Sequence, residues 1–138
     1  MPVAAVRAAV KTAIASGFSA ATVLYENEHY TPPESQTRDP WVEIEVFGGD
    51  YTQESLGAGD ANRWDERGSI FVHVFVPSGD GMDTTDTLLG LLAAIFKGQE
   101  FSGGYEMQDM QTGPGALSDE LGNWWRTTMT VDWVKRGA

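Results

Sequence analysis

Cysteine is absent from the 138-residue chain. This excludes disulfide scaffolds, thiolate zinc sites, cysteine nucleophiles and dithiol redox motifs. Imidazoles are scarce: His29 and His73 are the two, and neither lies in an HExxH pattern, so a catalytic zinc site is poorly supported. Positive charge is scarce as well. Nine Lys and Arg stand against 20 Asp and Glu, a formal net charge of −11, and such a chain repels phosphate backbones instead of neutralising them. Nucleic acid as a bound target is disfavoured. Long apolar runs are missing too. The longest, Leu88 to Phe96, is nine residues interrupted by Gly90, against the ~20 that a membrane helix needs, so no membrane partner is expected. Nor does a basic segment precede an apolar one near Met1, which reads as no secretory signal and as synthesis in the cytosol.

What is present is the material of one globular domain. Hydrophobic residues make up 41% and aromatics 11% of the chain, and a chain of this length buries about 68% of its unfolded surface. Val3, Val6, Val10, Ala13 and Ile14 recur at helical spacing after Pro2 and before Gly17, predicting an amphipathic first helix. Thr22 to Tyr25 is a short β-prone run, and Glu26 to Pro40, with Pro32, Pro33 and Pro40, reads as a surface crossing. From Trp41 to Phe47 the chain alternates, with Val42, Ile44 and Val46 on the core face. Gly48 to Gly68, rich in Gly, Asp, Asn and Ser, predicts a long loop, beyond the ~12–15 residues of ordinary connections. Ser69 to Val76 is apolar on both faces and predicts a central strand.

Asp83 is expected to cap a second helix, with Asp86 in its first turn and Leu88, Leu91, Leu92, Ile95 and Phe96 as its apolar stripe. Tyr105 to Gln111 predicts a polar strand and Thr112 to Gly122 a hairpin-like connection. In the last strand Trp125, Thr127, Met129, Val131 and Trp133 share one face. The resulting order, α-β-β-β-α-β-β, predicts a single α+β domain over residues 1–138: a mostly antiparallel sheet with two principal helices packed on one face.

Catalytic patterns are sparse. Asp80, Asp83 and Asp86 lack the calcium-loop spacing and read as helix-start residues. The glycines around Gly57 and Gly59 lack the P-loop lysine, and no G-x-S-x-G elbow occurs. His73, between Phe71 and Phe75, reads as a core or interface histidine, and His29 as a surface one. Glu43 and Glu45, two residues apart on a strand face, have a spacing that could pair carboxylates in a small hydrolase, although such alternation is commoner on solvated faces. No catalytic residue, metal or cofactor is therefore expected. The surplus is aromatic: Trp41, Phe47, Tyr51, Trp64, Phe71, Phe75 and Trp124 fall outside the best core face. They fit either a partner surface or a second layer within the monomer.

Several short pieces, in order and at consistent spacing, resemble the tail terminator proteins of long-tailed phages, prophages and gene transfer agents. They are the Asn before Tyr30-Thr31-Pro32-Pro33, the strand opened by Trp41-Val42-Glu43, Arg67-Gly68 ahead of Ile70 to Val76, Pro77-Ser78-Gly79-Asp80-Gly81, and the helix through Leu88 to Phe96. The similarity spans roughly Val23 to Val134. The chain departs from the pattern at Glu26, where an apolar residue is expected, and in its long acidic Gly48 to Gly68 segment. The resemblance implies a non-enzymatic virion protein assembled in the bacterial cytoplasm. It implies a homo-hexameric ring on the head-proximal end of the tail tube, with the tail tube protein and the head-tail connector protein as partners and DNA only as passing cargo. A tube subunit or connector component is the neighbouring reading. For the interface, Tyr51, Arg63, Trp64 and Arg67 on the long loop are the expected side chains, with Trp41, Phe47 and Trp124, because aromatics and Arg dominate interface energetics.

Overall fold

Pro2–Gly17 is the first helix, α1, and it turns Val6, Ala9, Val10 and Ile14 inward at three- and four-residue intervals. In this computed structural model the described residues are 2–26, 39–57, 62–79, 81–117 and 124–137. The expected surface crossing, His29, Asp80 and much of the Thr112 to Gly122 stretch fall largely outside them, as does the side chain of Val3. After α1 come β1 (Thr22–Tyr25), β2 (Trp41–Gln53), β3 (Trp64–Pro77), α2 (Asp83–Phe96), β4 (Glu100–Phe101), β5 (Tyr105–Thr112), β6 (Ala116–Leu117) and β7 (Trp124–Lys135). The α+β class and both helices are as the sequence predicts, and the two-residue strands β4 and β6 are additions to the expected order.

One sheet runs β1-β2-β3-β7-β5-β4, with β6 also on β7. The pair β1–β2 is parallel and every other pairing is antiparallel. As expected, β3 is central, between β2 and β7. Its alternate residues Ile70, Val72, Val74 and Val76 are buried, facing Val42, Ile44 and Val46 of β2 and Met129, Val131 and Trp133 of β7. Both helices cover this face: Leu88, Leu89, Leu92 and Phe96 of α2 join the α1 residues in one continuous core. No helix among the described residues is long and apolar enough to cross a membrane.

Three local outcomes differ from expectation or explain a departure. Met82, not Asp83, occupies the N-cap of α2 and makes no side-chain cap bond. Its carbonyl accepts from Asp86 N at 2.8 Å, so Asp83 and Asp86 act inside the first turn, where carboxylates favour the helix dipole. Glu26 is partnered: its Oε1 accepts from Val46 N at 2.6 Å and from Arg7 Nη2 at 3.1 Å. A carboxylate there satisfies β2 backbone beyond the last residue that β1 pairs, which an apolar side chain could not do.

The third difference is the largest. The Gly48 to Gly68 segment is not a loop of that length; β2 continues to Gln53 and β3 starts at Trp64, leaving residues 54–63 as the connection. A β-bulge hides this from the sequence. Between Phe47 and Asp50 the register advances three residues on β2 against two on β3, with Gly49 at φ +98° supplying the left-handed residue. Beyond the bulge Tyr51 stands opposite Glu66 and Gln53 opposite Trp64. The connection is closed by Glu54 N donating to Arg63 O at 2.7 Å and Arg63 N donating to Ser55 Oγ at 2.7 Å.

Candidate functional site

The extended β2–β3 hairpin forms an arm, and it gathers four of the six large exposed hydrophobics among the described residues. Phe47 (47%), Tyr51 (40%), Leu56 (88%) and Trp64 (38%) are all on it; Met82 and Leu91 are the other large exposed hydrophobics among the described residues. Of the side chains named from sequence, Tyr51, Arg63, Trp64, Arg67 and Phe47 therefore share one element. Trp41 and Trp124 do not join them. Trp41 stacks on Phe75 with centroids 3.9 Å apart and planes 6° off parallel, and meets Trp124 edge-on at 6.2 Å. Phe75 and Trp124 are buried within the chain and Trp41 is half-buried. For these three rings the second layer is built inside the monomer, and Phe47 packs edge-on against Phe71 at 5.2 Å while keeping its exposure.

At the base of the arm lies a charged group that sequence reasoning missed. Asp65 is fully buried, and three guanidinium groups surround it: Arg63 at 3.4 Å, Arg67 at 3.7 Å and Arg136 at 3.8 Å. Gly137 N donates to its Oδ1 at 3.2 Å. Glu54 at 3.8 Å and Glu106 at 2.8 Å in turn hold Arg67 and Arg136. The signal was present in Arg63, Asp65 and Arg67, whose period-two spacing puts Asp65 and Arg67 on one face of β3 with Arg63 in phase just before it; once the segment is read as a loop that period has no meaning. Arg136 reaches the site through the β3–β7 register, which pairs Glu66 with Lys135. Four of the nine basic residues, Arg63, Arg67, Lys135 and Arg136, thus concentrate at one end of an acidic molecule.

On the opposite strand face, Glu66 is fully buried beside Tyr51, Tyr105 and Lys135. Burial pushes its carboxyl above the usual carboxylate range, more strongly than the Tyr51 phenol and the Lys135 ammonium pull it down. The Tyr105 phenol is raised as well, first by burial and then by the Glu66 charge. The sign of the linkage follows. A carboxyl raised in the folded state favours folding below its ordinary value of 4.5, and that contribution is lost as pH rises through the raised value. Glu66→Gln is accordingly expected to melt a few degrees above the wild type at pH 8, with the gap closing as pH falls toward 4.5. Thermal denaturation of both proteins across pH 4.5–8 checks this; a variant that melts lower at pH 8 contradicts it.

The helix-free face of the sheet carries Glu43, Glu45 and His73, all half-buried. His73 Nε2 lies 2.6 Å from Glu45 Oε1 and its Nδ1 lies 2.7 Å from Thr128 Oγ1, which agrees with the structural role expected of this imidazole. Two pockets among the described residues lie elsewhere. One of about 220 Å³ is lined by Pro77, Gly79, Gly81, Met82 and Trp125, and an open groove of about 490 Å³ runs along Lys11, Ile14, Phe18 and Tyr25. Neither includes the two glutamates considered for hydrolysis.

A search of curated proteins returns no match. A solved structure 20% identical to this chain aligns over 93% of it and 94% of that structure's own chain, with a TM-score of 0.61, which establishes likeness of fold. A family model described as phage tail terminator protein matches residues 3–133. The match takes in both helices, the β2–β3 arm and nearly all of the central strand β7, and the chain belongs to the phage tail terminator family, a family of structural tail proteins.

Proposed function

We propose that this protein forms a homo-hexameric ring that caps the head-proximal end of the tail tube, ends tube polymerisation and presents a surface to the head connector. The observation that carries the reading is the arm. A ring built from one kind of subunit needs two different patches that meet head to tail, and an element that gathers Phe47, Tyr51, Leu56 and Trp64 at its surface, with Arg63 and Arg67, has the composition of one of them. The other patch lies on the neighbouring subunit, where acidic side chains can accept from the exposed guanidinium groups of Arg63 and Arg67. The surplus of negative charge also suits a channel for passing DNA, since like charge discourages adhesion within a Debye length of ~8 Å.

Preformed tail tubes incubated with the purified protein and imaged by negative stain test the capping step. Density at one end of each tube, together with arrest of further growth, is the expected result, and native mass spectrometry should give six copies. Incorporation along the tube would make the protein a tube subunit, and binding to connector alone would make it a connector component; either outcome displaces the reading.

A further inference from the structure

We propose that Glu43, Glu45 and His73 form a binding site for one divalent transition-metal ion of the kind that accepts mixed imidazole and carboxylate ligands, with Zn²⁺ as its representative. The site is independent of the tail-capping role. Glu43 and Glu45 alternate on β2 and leave the sheet from its helix-free face, and the register places His73 of β3 directly across from Glu43. One ligand atom from each residue lies within 4.8 Å of the other two. Zinc bonds of about 2.0–2.2 Å in a tetrahedral arrangement set donor atoms about 3.4 Å apart. The 2.6 Å separation between His73 Nε2 and Glu45 Oε1 must open, and any separation beyond about 3.4 Å must close. Both adjustments fall to glutamate side chains, and that of Glu45 is 33% exposed and has room to turn.

The imidazole is the fixed member of the set. Its side chain is 12% exposed and lies between the rings of Phe71 and Phe75, each with its centroid 6.5 Å away. Its Nδ1 is held by Thr128 Oγ1 at 2.7 Å, a residue outside the ligand set and on another strand. This is the arrangement that orients metal-bound histidines: one nitrogen anchored by a neighbour, the other aimed at the ligands. In the free protein Nε2–H donates to the Glu45 carboxylate. With the ion bound, the ring carries a single proton, on Nδ1, donates it to Thr128 Oγ1 and turns the Nε2 lone pair to the metal. The two carboxylates balance the 2+ charge. Three protein ligands leave one tetrahedral position for water or for a group from another molecule.

Isothermal titration of the tag-free protein with ZnCl₂ tests the site, with Co²⁺ absorption as a second readout of imidazole ligation. One Zn²⁺ per chain is expected for the wild type, and the event should be lost in the Glu43→Gln, Glu45→Gln double variant and in His73→Ala. Thr128→Val, which removes the anchor and no ligand, should weaken binding by roughly tenfold. Near-UV circular dichroism establishes that each variant is folded; if His73→Ala is not, the glutamine pair decides. A wild-type titration indistinguishable from that of the glutamine pair overturns the proposal.

Discussion

Gly68→Ala is expected to destabilise the fold by about 3 kcal/mol or more, at the upper end of what overpacking costs, and to lower the melting temperature by roughly 12 °C. A Cβ at this position would lie 2.1 Å from Phe47 O, 2.6 Å from Trp133 Cζ2 and 2.7 Å from Gly48 Cα. Two of these three atoms are backbone and cannot step aside as a flexible side-chain tip would. The third belongs to an indole that is itself pinned, since Trp133 Nε1 donates to Phe47 O at 3.1 Å and the ring is 1% exposed. Gly68 is therefore where the bulge, the arm and the core touch. Gly90 is the matched control: it lies in α2, and a Cβ there would meet nothing within 4 Å, so Gly90→Ala should stabilise by ~0.5–1 kcal/mol. Thermal and urea denaturation of the two variants decide the matter, and a Gly68→Ala protein melting within two or three degrees of wild type, taken here as roughly the noise of the comparison, counts against this account.

Removing the tip of the arm is expected to abolish ring formation while leaving the subunit folded. Gln53 and Trp64 are a registered pair, so residues 54–63 can be replaced by Asn-Gly, the two-residue turn that suits a right-twisted hairpin. The deletion takes away Leu56, Arg63 and Glu54, leaving buried Asp65 with Arg67 and Arg136, while the apolar core residues of β2 and β3 are untouched. Circular dichroism should match the wild type and melting should stay cooperative, lowered only by the loss of Arg63 beside Asp65, while native mass spectrometry should show a monomer and tube ends should remain bare. An unchanged ring would mean that the arm's tip is not part of the assembly surface.

How much of this could be read from the chain depended on whether a residue's partner was nearby in sequence. The helix α2 was legible because Leu88, Leu92 and Phe96 carry their own period, and β3 because Ile70 to Val76 alternates without interruption. The arm was not. Its bulge shifts the alternation of β2 by one residue at Gly48 and Gly49, and the Gly- and Asp-rich composition that builds the bulge is also the composition of a loop. Trp41 and Trp124 show the same limit in another form. Both lie off the main core face and fit a partner surface as well as a second layer, and only the register shows Trp41 stacked on Phe75 and edge-on to Trp124. The Asp65 group needed Arg136 from the far end of the chain, and nothing local announces that meeting. The proposed metal site was not legible: Glu43 and Glu45 stood out as a pair but were weighed only for hydrolysis, and His73 joins them by lying opposite on the next strand.

The position of β7 has a consequence for biogenesis. Trp124–Lys135 is the last strand in sequence but lies inside the sheet, hydrogen-bonded to β3 on one side and to β5 and β6 on the other. Until those residues have been synthesised, β3 keeps an open edge and Ile70 and Val72 lack their β7 neighbours. Folding then waits on pairings between distant parts of the chain, the slow class of contact. A chain that stops short of β7 is therefore expected to leave its core open.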